Sequence, residues 1–459
     1  MRRAFCQGCW EKQGQIDQLR EENQRLKAQL RYRERQAREG VFGSSTPSAQ
    51  RPVKANSAPE QQGRKGGATR GHPGHGRQVI AAATAARVVD VELDPVCPQC
   101  GGPLEDKGSR PRSVLEIAPP RPEPVLYWLR KGYCPRCRRA VQARAPGVLP
   151  KALFGNELTA QLVCLHYLHG IPLGRLCAQL GLGLGSVIQL LHRLAGVFQP
   201  VLPHLIAAFR QAPVRHADET GWRTDGHSGY AWLYCTPTLS LFLLRATRSA
   251  AVPKEVLGEA PLSGVLVVDR YTGYNRVPCP LQYCYAHLLR EVEDLGKEFP
   301  DAPEVAAFTA TLIPLLVAAM HLPSQPLSEP EYYAQAAAIK QQIVATVEEP
   351  AQHLGIRRIQ DIFQEHPDRL YHWVTDRDVP PDNNRCEREL RPTVIARKVS
   401  FGSQSDAGAK TRETLMSVLH TLRKRHPDPQ AHFKGVLDQL ATHPQQDPFP
   451  LLFPPFDSS

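Results

Sequence analysis

Apolar positions near the start of the chain fall at alternating steps of three and four: Ile16, Leu19, Leu26 and Leu30, with Asn23 among them. That spacing lines one helix face as an a/d seam about two heptads long, and an Asn at an a position is a register-setting device. A short coiled coil over 1–39 and a single exposed helix both satisfy the pattern. From 40 to 80 the periodicity disappears into Gly, Ser, Pro, Gln and basic residues, a composition that cannot bury enough surface to fold alone. This stretch reads as a flexible linker whose Arg64, Lys65, Arg70 and Arg77 can touch phosphates. Strand-like runs return at Val114–Ile117 and Val125–Leu129, within a segment spanning 81–150.

Over 151–210 the pattern turns helical. Leu158, Leu162 and Leu165 share a face, then Leu173, Leu176 and Leu180, then Val187, Leu190, Leu191 and Leu194. Gly181 to Ser186 separates the last two, with Ser186 placed to cap the third helix. Helix, glycine-containing turn and helix give the outline of a helix-turn-helix; an ordinary helical bundle fits as well. Beyond 210, Val214–Asp218, Tyr230–Cys235 and Leu239–Leu244 read as strands. A short helix over Ala251–Leu257 follows, then a buried strand over Gly264–Asp269. Three strands, a helix and a fourth strand, with acids on the first and the fourth, is the order of a ribonuclease-H-like domain, assigned here to 211–405.

The stretch from Asp269 to Glu387 is too long for a loop, so a helical insertion is expected over about 287–375. Ser328-Glu329-Pro330-Glu331 supplies a capping box that opens an Ala-rich helix toward Glu349. C-terminal helices are expected in 406–443, one carrying Leu415, Val418, Leu419 and Leu422 and one opened by Asp428-Pro429. A loose tail is expected over 444–459. The fold class is therefore multidomain, mixing α+β and α/β parts.

Composition narrows the partner. A formal net charge of +11 over 459 residues favours a polyanion, most simply nucleic acid. The longest apolar run, Leu312–Met320, contains Pro314 and is too short to span a bilayer, and the basic N-terminus lacks the apolar core of a signal peptide. An intracellular protein with no membrane role is expected. In that compartment the 12 cysteines point to metal or plain thiols rather than disulfides. Cys97-Pro98-Gln99-Cys100 and Cys134-Pro135-Arg136-Cys137 form two Cys-x-x-Cys knuckles, and four thiolates complete a tetrahedral structural Zn²⁺ with no open position. A zinc ribbon over 81–150 is the expectation, against four unrelated buried cysteines. Cys6 and Cys9 have no second pair nearby.

The candidate chemistry lies in three acids. Magnesium-dependent phosphodiester cleavage needs carboxylates clustered around two ions, one activating the attacking oxygen and one stabilising the leaving oxygen. Asp218 and Asp269 end their expected strands, and Glu387 sits in Pro381-Asp382-Asn383-Asn384-Arg385-Cys386-Glu387-Arg388-Glu389-Leu390-Arg391-Pro392. There Asp382 can cap a short helix and Leu390 can hold Glu387 against the sheet, while the competitor Glu389 faces elsewhere. Arg391, Arg397 and Lys398 follow at distances suited to phosphates, and His287 and Arg290 share a helix face that could reach the substrate strand or serve structure alone. Taken singly, each acid is as well explained as a turn or surface residue; their combination carries the reading.

His216-Ala217-Asp218-Glu219-Thr220, Asp269-Arg270-Tyr271-Thr272-Gly273-Tyr274, Cys284-Tyr285-Ala286-His287, the Asn383–Pro392 segment, Arg397-Lys398 and Phe401-Gly402-Ser403 together resemble the insertion-sequence-66 family of bacterial transposases. The helical start, linker, knuckles and helical segment also occur in the family's order, so the resemblance covers nearly the whole chain. Tyr285 stands where the family usually has Trp, and Thr421–Pro429 is more basic than the family's tail. The resemblance implies a cytoplasmic bacterial DDE transposase with Asp218, Asp269 and Glu387 as its triad and two Mg²⁺ (or Mn²⁺) ions. It would cut element ends and join the freed 3′-OH to target DNA. Its partners would be double-stranded DNA (terminal repeats and target), a second copy in a paired-end complex and possible accessory proteins. A catalytically dead zinc-ribbon regulator and a nuclease without strand transfer are the rival functions.

Overall fold

The computed structural model describes residues 121–454 apart from Cys137, together with positions 15–16, 18–20, 22–23, 27, 82–84, 88–89, 100 and 102–103. The chain divides into two units, residues 53–121 and the remainder. In the smaller unit the described residues form one 3₁₀ turn, Ala82–Thr84. The described positions between 15 and 27 are helical, with Ile16 and Leu19 exposed; Leu26 and Leu30 lie outside the described residues. Cys97 and Cys137 also lie outside them, as does the 40–80 linker. Of the expected zinc set, Cys100 is exposed and Cys134 closes a strand.

In the larger unit, strands β1 (Lys131–Cys134) and β2 (Arg139–Gln142) form an antiparallel hairpin with Cys134 opposite Arg139. The run Val125–Leu129, read from its residues as strand-like, joins no ladder among the described residues and is exposed. Four helices follow: α1 (Asn156–Tyr167), α2 (Leu173–Leu180), α3 (Leu184–Phe198) and α4 (Val201–Gln211). Gly181 ends α2 in the left-handed conformation at φ 67°, where its missing Cβ removes the usual penalty. The cap expected at Ser186 is instead Gly183: α3 begins earlier, at Leu184, because the turn needs only three residues.

The central sheet has five strands in the order β5-β4-β3-β6-β7, with β3 Val214–Thr224, β4 His227–Thr236, β5 Leu239–Arg245, β6 Val265–Val268 and β7 Leu281–Tyr283. β3, β4 and β5 pair antiparallel, whereas β6 is parallel to β3 and β7 parallel to β6. Mixed pairing in this order is consistent with a ribonuclease-H-like domain. Helix α5 (Ala251–Leu257) makes the crossover from β5 to β6. Strand β7 is only 3 residues long, below the length at which a hydrophobic pattern can announce a strand.

Two expectations change here. Asp218 does not end its strand: β3 runs on to Thr224 because β4 pairs with it as far as Thr224↔His227, so the polar Asp218-Glu219-Thr220 run lies mid-strand. The helix carrying Glu387 is not short either. This helix, α11, spans Asn384–Ser400, 17 residues, and continues through Pro392. A proline forfeits one helical hydrogen bond and usually breaks the helix; here buried Leu390, Thr393, Val394 and Arg397 keep both halves packed on the sheet.

Between β7 and α11 lie α6 (Tyr285–Glu298), α7 (Pro303–His321), α8 (Glu329–Glu348), α9 (Leu354–Glu365) and α10 (His372–Thr375). The capping box at Ser328 is present, its amide donating to Glu331 Oε2 at 2.9 Å. By length and composition alone, the helical stretch Pro303–Ser324 could cross a membrane. However, Val305, Phe308, Leu312, Leu316 and Ala319 are buried in the packing of these helices, which makes α7 a core helix.

Helix α12 (Asp406–Arg425) lies along the open edge of β5. Every fourth residue of the helix meets every second residue of the strand: Thr421 Oγ1 accepts from Ser240 N at 3.0 Å, Ser417 Oγ from Phe242 N at 2.8 Å and Glu413 Oε2 from Leu244 N at 3.0 Å. Four helical residues rise about 6 Å and two strand residues about 6.8 Å, so the two repeats nearly match and the edge amides are satisfied. The helices of 151–210 share one core with α12 and α13 (Pro429–Thr442): His420 Nε2 lies 3.2 Å from Tyr167 O, and Phe198 meets Phe433 at 5.2 Å. The tail expected to be loose instead folds back as α14 (Pro448–Leu452), with Leu452 and Phe453 buried and Phe449 stacked on His204 at 4.5 Å. Its prolines open a helix, and its aromatic residues supply the buried surface.

Candidate active site

Alternation along β3 sets its two faces apart. His216, Asp218, Thr220 and Trp222 point toward α11 and the segment after it, where His216 Nδ1 meets Asn383 Oδ1 at 2.9 Å and Trp222 Nε1 donates to Ser403 Oγ at 3.2 Å. Glu219 points the other way. Its carboxylate is buried against Arg248, 2.5 Å away, and accepts from the Tyr274 hydroxyl at 2.7 Å. Within the acidic pair, only Asp218 faces α11.

β3 and β6 run parallel with Val214 opposite Val265 and His216 opposite Val267. Extending that register by two residues would bring Asp269, just past the end of β6, level with Asp218. The close approach of the two strands needs Gly264, at φ +77°, where a Cβ would stand 2.2 Å from the Pro213 carbonyl oxygen. Buried Arg215 pins the strand entrance, donating to Arg210 O at 2.6 Å and to Ser263 O at 2.5 Å. Asp269 Oδ1 in turn accepts from Tyr271 N at 3.0 Å, which fixes the carboxylate at the strand end.

Glu387 comes from the first turn of α11, and Asn383 decides where that turn sits. Asn383 Nδ2 donates to Ala217 O at 2.8 Å, its Oδ1 meets His216, and its amide donates to Cys284 Sγ at 3.1 Å. Because Nδ2 must be the donor to a carbonyl, Oδ1 accepts from His216, so the imidazole carries its proton on Nδ1. Leu390, fully buried, holds the turn from below. Glu389 faces Ser240 Oγ at 2.7 Å and Lys424 Nζ at 2.7 Å, away from Asp218.

Burial and neighbouring charges raise the carboxyls of this region. Burial first, then the charges of Glu219, Asp269 and Glu387, hold the Asp218 carboxyl well above the usual range. Burial also raises Asp269, with Glu387 adding and the Tyr271 amide, Arg248 and Arg270 opposing. Glu219 is pushed up to about 7 by burial and Asp269, against Arg248 and Tyr274. Carboxylates sharing a buried site repel until a cation neutralises them. Carboxylate oxygens are the donors that hard divalent ions take.

The remaining predicted residues divide. His287 Nδ1 lies 3.9 Å from Glu387 Oε1, and Arg290 Nη2 lies 3.5 Å from both Glu387 oxygens. Arg391 and Lys398 are exposed on the outer side of α11. Arg397 is not: its buried guanidinium donates to Thr220 Oγ1 at 3.0 Å and to Gly221 O at 2.6 Å, so it anchors the helix to β3 where a phosphate contact was expected. Asn383, Arg248 and Tyr274 were not singled out from sequence. Asn383 opens the Asn383–Pro392 segment, but its contacts are long-range and no local signal distinguishes it from Asn384.

The model for "Transposase IS66 family" matches residues 151–411, a span that holds all three acids and more than half of the chain. The uncharacterized protein y4hP of Sinorhizobium fredii is 22% identical over 404 residues, covering 78% of this chain and 72% of that one. The uncharacterized protein y4qI of the same organism is 24% identical over 377 residues, covering 73% and 68%. With the mixed strand order and the matched span in agreement, the chain belongs to the IS66 family of transposases.

Proposed function

We propose that the protein cuts DNA at the ends of an insertion element and joins the freed 3′-OH to target DNA, using Asp218, Asp269 and Glu387 to hold two Mg²⁺ or Mn²⁺ ions. The observation that supports this reading is the parallel β3–β6 register, which runs from Val214↔Val265 to His216↔Val267 and, extended by two residues, would bring Asp269 level with Asp218. When bound, the ions activate the attacking oxygen and neutralise charge on the leaving one. The chain's own part is positioning. Asn383 and His216 set the α11 turn against β3, and Arg397 fixes the same helix further along. Arg290 beside Glu387 offers a cation to the scissile phosphate, with His287 next to it.

Arg391 and Lys398 would bind flanking phosphates. At 1.5 Å per helical residue, Lys398 stands about 16 Å along α11 from Glu387, roughly five base pairs of duplex. The expected zinc ribbon at Cys97, Cys100, Cys134 and Cys137 and the α2–α3 pair would contribute DNA contacts outside this core. Two element ends must be held together, which favours a homodimer or larger assembly.

Incubating the purified chain with end-containing DNA and Mg²⁺ tests the proposal. Cleavage with joined products is expected, lost in Asp218→Asn, Asp269→Asn and Glu387→Gln. Cleavage without joining would leave a nuclease, binding without cleavage would leave a regulator, and a fully active Asp218→Asn would overturn the site.

A further inference from the structure

Beside the acid face lies a second donor set of different chemistry. Cys284 is the N-cap of α6 and His287 its third residue, so Cys-x-x-His places a sulfur and an imidazole on the same side of the helix start. Glu387 enters from the first turn of α11. The two helix starts are tied together by Asn383 N donating to Cys284 Sγ at 3.1 Å and Tyr285 N donating to Pro381 O at 2.8 Å. The ligand atoms of Cys284, His287 and Glu387 lie within 4.8 Å of one another, with His287 Nδ1 and Glu387 Oε1 at 3.9 Å.

A tetrahedral zinc ion with bonds of about 2.0–2.3 Å separates its ligand atoms by roughly 3.3–3.8 Å, so closing on an ion needs movements of about 1 Å or less. A thiolate and a carboxylate would neutralise the dication within a buried pocket. Sulfur and imidazole discriminate against Mg²⁺ and favour Zn²⁺. The fourth position stays open to water.

We propose that Cys284, His287 and Glu387 form a site for a soft divalent ion, Zn²⁺, and that zinc held there withdraws Glu387 from the Asp218–Asp269 face and so inhibits DNA cleavage. Binding rests on the donor geometry alone, whereas inhibition also rests on Glu387 being the third catalytic acid. Arg290, 3.5 Å from Glu387, is the cation that the carboxylate would exchange for the metal.

The test uses the full chain, freed of metal and titrated with Co²⁺ as a spectroscopic stand-in for zinc. Cys284→Ser should bind one ion fewer per chain than wild type and lose part of the thiolate-to-cobalt absorption; any ions on other cysteines are common to both proteins. His287→Gln should show the same loss and guards against misfolding at the buried sulfur. In Mg²⁺-supported cleavage, the zinc concentration that halves the rate should rise at least about tenfold in Cys284→Ser. Equal metal stoichiometry in wild type and both variants would overturn the site. Loss of one ion with unchanged zinc inhibition would overturn the inhibitory role. If wild type does not cleave DNA at all, the catalytic reading fails, and the cobalt titration still decides whether the site exists.

Discussion

Asn383→Ala is the sharpest probe of how the acid face is assembled. Asn383 is 1% exposed, and its side chain serves two buried partners on β3, Ala217 O at 2.8 Å and His216 Nδ1 at 2.9 Å. The β3–β6 ladder ends at His216↔Val267, so Asn383 takes over just where strand pairing stops. Each buried hydrogen bond contributes about 1 kcal/mol net, and each partner left unsatisfied costs about 1–3 kcal/mol. Water entering the small space left by the amide would recover part of this. A loss of about 3 kcal/mol follows. Urea unfolding of the full chain measures it through tryptophan fluorescence, since Trp222, Trp232 and Trp373 are all buried in this part of the molecule. Cleavage should fall further than stability explains, because a displacement of about 1 Å in Glu387 costs on the order of 100-fold in rate. A stability loss below about 1 kcal/mol with normal cleavage would refute the claim that this amide sets the position of α11.

Three other outcomes follow from the same physics. His420 is buried and held down to about 3, mainly by burial, so the unfolded chain takes up its proton near 6.5 while the folded chain does not. Stability from this group is full above about pH 6.5 and falls as pH drops. The stability difference between wild type and His420→Gln should therefore shift against wild type by about 3 kcal/mol between pH 6.5 and 4, and a constant difference would refute it. Asp218→Asn removes one carboxyl from a repelling cluster; it should stabilise the metal-free protein by about 1–2 kcal/mol at neutral pH while abolishing cleavage, and a lower unfolding midpoint would contradict that. Gly264→Ala forces a Cβ to within 2.2 Å of the Pro213 carbonyl at a positive φ, so β3 and β6 must separate. A cost of at least about 2 kcal/mol in thermal or urea unfolding is expected, and an unchanged midpoint would show that the strands can yield.

Much of the catalytic domain was legible locally. The strands around Tyr230–Cys235 and Leu239–Leu244, the helix Ala251–Leu257, and the capping box at Ser328 all appear where hydrophobic period and end signals put them. These features depend on residues within one or two turns of one another. β7 and the extension of β3 past Asp218 were not legible, since the first is too short for a period and the second is imposed by pairing with β4. Arg397 illustrates the limit most clearly. Its spacing from Glu387 suits a phosphate, yet Thr220 and Gly221 claim its guanidinium from a strand 176 and more residues away in sequence.

Sequence alone determined which family pattern the motifs follow and which acids are the candidates, because motif residues and strand alternation are local properties. Tertiary structure decided that β3 and β6 pair in parallel just before the two aspartates, that Asn383 at the N-cap of α11 bonds to β3 rather than to its own helix, and that Cys284 and His287 crowd the Glu387 carboxylate. Those facts arise where separate elements pack, and their contacts obey register and shape at ranges over which no sequence period carries information.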